Sequence, residues 1–280
     1  MVEGRAYGPR GSNRTGPRAS PRIAPKAGHT LRLLDPFWLL LAGFGGGLSG
    51  SVAGLASLVS YPALLAAGLS PVSANVTNTV SLVFSSLGSV WGFRPELSGQ
   101  GRTARRLVPV AMAGGAAGGL LLLATPPTAF ARLVPWLIGV ASLAVVLPRR
   151  LARPAPRWPR RSRALLSVGV FLVAIYGGYF GAAAGVVLLA LLLMSTVEPL
   201  PRATALRNLL LGSANAVAAV SFVVWGPVRW SAVVPLGLGF LVGGRLGPIV
   251  VRNVPAAPLR ALIACAGLGL AIHLGLDAYR

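Results

Sequence analysis

From Pro36 to Phe93 the chain carries no charged side chain, with Asp35 and Arg94 the nearest charges on either side. A run of that length makes two bilayer crossings at about 20 residues each. Gly68-Leu69-Ser70-Pro71 supplies the turn between them. Asp35-Pro36 starts the first helix, with aspartate at the N-cap and proline at the first helical position. Further apolar spans follow at about 107–125, 129–148, 164–195, 203–225, 230–251 and 257–276. The pattern predicts an all-α integral membrane protein of about eight transmembrane helices.

Glycine punctuates the first span at 43, 45, 46, 47, 50 and 54. In a helix it is about 1 kcal/mol worse than alanine, so a plain anchor would use leucine. Glycines bunched at membrane depth indicate close helix packing, or backbone that unwinds where protein or a cavity surrounds it. The first and fifth crossings, 36–69 and 164–197, exceed what tilt accommodates. They are expected to be broken or re-entrant, and broken is favoured. One ungapped shift carries Gly46, Gly47, Gly50 and Gly54 onto Gly177, Gly178, Gly181 and Gly185. This predicts an internal repeat. With four spans in each half, the halves share one orientation, as a parallel repeat about an axis along the membrane normal. The expected units are a tail at 1–32, a four-helix repeat at 33–148, a linker at 149–163 and a second four-helix repeat at 164–280.

Composition agrees: 54% of residues are hydrophobic, 11% are charged and the mean hydropathy is +0.71. A net charge of +21 would otherwise suggest nucleic acid. Here the charge lies in tails and loops, so it reads as topology and no nucleic-acid partner is expected. Residues 1–32, rich in arginine, glycine, proline and serine, read as a disordered cytoplasmic tail that touches anionic lipid. If every span crosses, the tail, 94–106 and 149–163 share the inner side. Arg132, Arg202, Arg207, Arg245, Arg252 and Arg260 then fall outside. The positive-inside rule places both termini in the cytoplasm, in a plasma-membrane protein.

The single cysteine, Cys265, excludes an intrachain disulfide and a cysteine metal cluster, and its apolar setting reads as a buried filler. The five acids, Glu3, Asp35, Glu96, Glu198 and Asp277, lie in the tail or near span ends. They supply neither a metal-hydrolase motif nor an intramembrane carboxylate pair for proton coupling. No metal, cofactor or catalytic residue is expected. Arg94 and Glu96 are expected to pair at the inner rim.

Candidate substrate contacts fall in three groups. The glycine clusters, Gly45, Gly46, Gly47 and Gly50 with Gly177, Gly178 and Gly181, either pack helices or present unwound N–H groups to an anion. Asn75, Thr77, Asn78 and Thr79 either bond between helices or donate to a substrate without adding charge. Arg207 either snorkels at the interface or forks an oxyanion. Asn208 follows it, and Asn215 lies deeper on roughly the same face.

These residues resemble the sulfite exporter TauE/SafE family of membrane transporters. The resemblance rests on Gly43-Phe44-Gly45-Gly46-Gly47, Tyr61-Pro62-Ala63-Leu64-Leu65, the run from Gly68 to Val80 and Phe93-Arg94-Pro95-Glu96-Leu97. In the second half it rests on Ala205-Leu206-Arg207-Asn208 with Asn215, Gly226-Pro227-Val228-Arg229-Trp230 and Gly243-Gly244-Arg245-Leu246-Gly247. It implies a secondary transporter exporting small sulfur-containing anions, such as sulfite and sulfonates, with a path between two repeats. The substrate and membrane lipid are the expected partners, and a homodimer is left open. The rival readings are a permease for another small organic anion and a membrane scaffold without transport.

Overall fold

The computed structural model describes residues 36–146, 161–195, 198–253, 265, 268–269 and 271–276. The regular structure among them is helical, with no strand. The helices are α1 Pro36–Ala53, α2 Ala56–Ala66, α3 Pro71–Gly92, α4 Arg94–Leu97, α5 Gly101–Ala124, α6 Pro127–Val146, α7 Arg161–Tyr179, α8 Ala184–Ser195, α9 Leu200–Trp225 and α10 Trp230–Asn253. Four of them, α1, α5, α9 and α10, are long and apolar enough to cross a membrane. Helix α3 is long enough, but Ser73, Asn75, Thr77, Asn78, Thr79, Ser81, Ser85 and Ser89 make it polar. All eight are buried, so protein rather than lipid receives them. The expected span 257–276 lies largely outside the described residues. Its helical stretch 271–276 packs on α6, where Ala271 faces Gly139.

Both glycine-rich segments are interrupted. Helix α1 stops where Gly54 adopts φ +79°, and α7 is followed by Gly181 at φ +76° and Ala183 at φ 57°. Gly54 and Gly181 thus take left-handed backbone that favours glycine. After each break the chain turns back. Trp38, Leu39 and Ala42 of α1 share a groove with Ala63 and Ala66 of α2. In the second segment a Cβ on Gly169 would meet Leu191, and Tyr176 donates to the carbonyl of Ala182. Each segment is therefore a helical hairpin whose ends lie on one side, and re-entrant is the alternative that describes it.

This fold-back corrects the expected side assignment. Arg202 donates to Ser98 O at 2.9 Å, Gln100 donates to Arg202 O at 3.0 Å, and Arg252 pairs with Glu96 at 2.6 Å. Unbroken alternation had put 94–106 opposite Arg202 and Arg252; groups in hydrogen-bond contact share one end of the bundle. Arg252 also replaces Arg94 as the partner of Glu96. At the opposite end Ser73 donates to Pro227 O at 2.8 Å and Arg229 N donates to Thr77 Oγ1 at 3.0 Å. Helices α3 and α9, which correspond under the sequence shift, therefore run antiparallel, and so do α1 and α7. The expected parallel relation fails because each half holds a hairpin in place of one crossing.

Packing exchanges the third long helix of each half. Helix α10 packs most extensively on α1 and α3, while α5 packs on α7 and α9. The α1–α10 seam is glycine against glycine. A Cβ on Gly43 would overlap the Leu236 carbonyl, one on Gly47 would sit 2.6 Å from Phe240 O, and one on Gly243 would overlap Phe44 O. Such close approach lets helices associate by van der Waals contact where lipid offers no hydrophobic drive. Exposed Phe37, Trp38, Trp225 and Trp230 ring one end of the bundle. At the other, Arg245 lies 3.7 Å over the ring of Trp91. Amphipathic rings at both ends suit the two membrane interfaces. Cys265 is exposed rather than the expected buried filler.

Candidate functional site

The two hairpin tips meet at the centre of the fold. A Cβ on Gly54 would lie 2.6 Å from Gly185 Cα, and the reverse holds at 2.5 Å. Beside this contact is a cavity of about 60 Å³. A water needs roughly 10–15 Å³ of such space, so there is room for several waters or a small anion. The lining comprises Gly50, Gly54, Ala56 and Ser57 of the first hairpin and Gly181 and Gly185 of the second. Helix α3 adds Leu82, Ser85, Ser86 and Ser89, and α9 adds Asn208, Leu211 and Asn215.

The wall carries serine hydroxyls and asparagine amides, with the hydroxyls of Ser86 and Ser89 donating to Leu82 O and Gly244 O. Ala56-Ser57 and Ala184-Gly185 open α2 and α8, whose first N–H groups have no partner within the helix, although Gly181 O takes that of Ala184 and Ala183 O that of Val186. Both positive dipole ends thus reach one space. Among the described residues the Asn215 amide has no side-chain hydrogen bond and no acid lines the cavity. The position is asymmetric: Ser85, Ser86, Ser89 and Asn208 lie toward the Gln100 end of α3 and α9. Toward the other end, rings close the bundle. Tyr61 meets Phe180 at 5.3 Å, and Phe130 meets Tyr179 at 5.8 Å and Phe180 at 6.0 Å, all edge to face.

Of the residues singled out in the sequence, Gly50, Gly181, Asn208 and Asn215 line this cavity. The others lie elsewhere. Gly46 and Gly47 abut Phe240 and Gly244, Gly178 abuts Gly115, Gly177 faces Leu211, and Gly45 is half-buried beside Val59. Asn75 donates to Tyr179 O at 2.8 Å, the C-terminal end of α7, and Thr79 donates to Asn75 O at 2.9 Å. Thr77 accepts from Arg229 N. Asn78 stands one layer behind the wall, 3.1 Å from Ser57 Oγ, and contacts Ser60. Except for the Thr79 bond, which stays within α3, these contacts join different elements.

Arg207 takes a place that neither sequence alternative described. It is fully buried, so it does not snorkel. Its Nη2 lies 3.0 Å from Gly50 O, 2.7 Å from Ser51 O and 2.7 Å from Asn208 Oδ1, so its two hydrogens are shared among three acceptors. A cation at the carbonyl end of a helix is favoured by the dipole, and here it closes α1. The sequence reading missed Ser57, Ser86, Ser89, Gly54 and Gly185 as cavity residues. The available signal was the spacing of Ser85, Ser86 and Ser89, which puts 85 and 89 on one helical face.

The sequence profile of the sulfite exporter TauE/SafE family matches residues 39–274. The chain belongs to that family. Among similar proteins, the probable membrane transporter protein YfcA of Escherichia coli K12 is 25% identical over 87% of this chain and 89% of its own. A probable membrane transporter protein, ORF9, of Sinorhizobium is 24% identical over 86% and 92%. One from Haemophilus influenzae is 25% identical over 80% and 88%. No solved structure matches the chain. This TauE/SafE protein is a membrane transporter, and neither the family description nor these names indicate an enzyme.

Proposed function

We propose that the protein exports small sulfur-containing oxyanions, sulfite and sulfonates such as sulfoacetate, across the plasma membrane. The observation that carries this reading is the convergence of two half-helix N-termini and the Asn208 and Asn215 amides on one cavity without an acid. Such a wall stabilises negative charge without a fixed ion that would hold it, so an anion can also leave. The mechanism is alternating access between two halves of opposite orientation, related by an axis in the membrane plane. The cavity end, which carries Arg94, Arg102, Arg105 and Arg106, faces the cytoplasm under the positive-inside rule and loads substrate there. Pro36 begins at the other end, so this orientation departs from the expectation of cytoplasmic termini. Interfacial rings, among them Trp91 beneath Arg245, contact lipid headgroups.

The drive is the membrane potential. With the interior negative, outward movement of an anion gains about 2.3 kcal/mol per charge per 100 mV. The test is flux of sulfite and sulfoacetate from proteoliposomes at an imposed potential, with simple carboxylates as competitors. Potential-driven sulfite flux that carboxylates do not inhibit is expected, and Asn215→Ala should weaken it. Flux that follows a pH gradient and ignores potential would refute the electrogenic mechanism. Stronger competition by carboxylates would move the substrate to another organic anion. No anion flux from folded protein would leave the scaffold reading.

A further inference from the structure

Asparagine is an ambivalent lining residue: its amide presents a donor on one side and an acceptor on the other. At Asn208 the choice is already made. Arg207 has donors only, so the atom 2.7 Å from its Nη2 is the Asn208 oxygen. The carbonyl of Ser51 accepts from Asn208 Nδ2 at 3.2 Å, which locks the same orientation from the other side. One of the two Nδ2 hydrogens is used there, and the second remains with a side chain that lines the cavity. The same guanidinium covers the carbonyls of Gly50 and Ser51 at the negative end of α1. The oxygens of two lining residues, Gly50 and Asn208, and of the neighbouring Ser51 are therefore turned toward one buried cation that is itself not part of the lining.

We propose that Arg207 is a positioning residue that orients the Asn208 amide, taking its oxygen together with the Gly50 and Ser51 carbonyls so that the remaining Nδ2 hydrogen of Asn208 faces an anion. The inference rests on the cavity being the anion site. It assigns the charge selectivity of transport to a residue that need not touch the substrate. Without Arg207 the three oxygens would form a cluster suited to a cation or to water, next to the place an anion must occupy.

The test uses the full chain in proteoliposomes, with methanesulfonate as a probe that does not titrate near neutral pH. Each variant is first shown to be monodisperse. Arg207→Ala should raise the KM by about tenfold or more, the scale of a lost charge-assisted hydrogen bond, with little change in the maximal rate. Added guanidinium should restore it, and Arg207→Lys should fall between. If Arg207→Ala does not fold, Asn208 carries the test. Asn208→Asp keeps the bond to Arg207 but replaces the donor with an acceptor, so it should lose more affinity than Asn208→Ala. Wild-type affinity in Arg207→Ala, or in Asn208→Asp, would overturn the inference alone. Absence of saturable methanesulfonate and sulfite transport by the wild type would overturn the anion site and this inference together.

Discussion

Gly54 and Gly185 are held by contact as well as by conformation. Gly54 sits at φ +79°, where a side chain costs about 1–2 kcal/mol. A Cβ there would also lie 2.6 Å from Gly185 Cα. Gly54→Ala should lower the thermal midpoint of the purified transporter markedly, and Gly185→Ala should do so through the clash alone. A midpoint unchanged in both would mean the tips do not touch. The glycine cluster thus divides by role, a division its spacing hid. Gly46 and Gly47 serve a helix seam, Gly50 faces the cavity, and Gly54 makes the turn. Arginine was equally ambiguous: Arg245 lies exposed over Trp91, whereas Arg207 is buried on main-chain carbonyls.

At the scale of elements, the α1–α10 seam depends on how closely two backbones approach. Gly43→Ala should reduce the yield of monodisperse protein sharply, because its Cβ would overlap the Leu236 carbonyl. Gly45→Ala, two residues away, meets only Val59 Cγ1 at 3.8 Å and should be mild. Size-exclusion profiles of the two variants make the comparison; equal behaviour would argue against the seam. Helix α3 shows what polarity in a span signifies. Asn75 and Asn78 are spent tying it to both hairpins, through Tyr179 O and Ser57, rather than to lipid. Replacing either with leucine should cost about 1–3 kcal/mol, because it leaves buried polar partners unmet. Thermal unfolding would measure it.

At the scale of the whole molecule, the two hairpins determine which loops share a side. In a Cys265→Ser background, Ser98→Cys and Asn253→Cys should react with an impermeant thiol reagent from one side of the membrane. Ser70→Cys and Arg229→Cys should react from the other. Eight simple crossings would instead group Ser98 with Arg229 and Asn253 with Ser70, so the labelling pattern separates the two arrangements outright. The ring cluster around Phe180 packs at the end of the bundle away from Gln100.

The sequence by itself determined the environment and the class. A charge-free run from Pro36 to Phe93 has no stable place outside a bilayer, and order and spacing of motifs were enough to reach the TauE/SafE family. It also located the interruptions, because left-handed backbone at membrane depth calls for glycine. Direction was beyond it. Whether a long apolar segment crosses or folds back leaves the same hydropathy in the sequence, yet it reverses every later span and turns a parallel pairing into an antiparallel one. Partner choice was also beyond it: Arg207 meets Gly50 and Ser51 across most of the chain, and only tertiary packing brings a cation to that helix end. The cavity has the same origin. Its wall comes from five helices and from the turns between α1 and α2 and between α7 and α8, and no local pattern records where their faces converge.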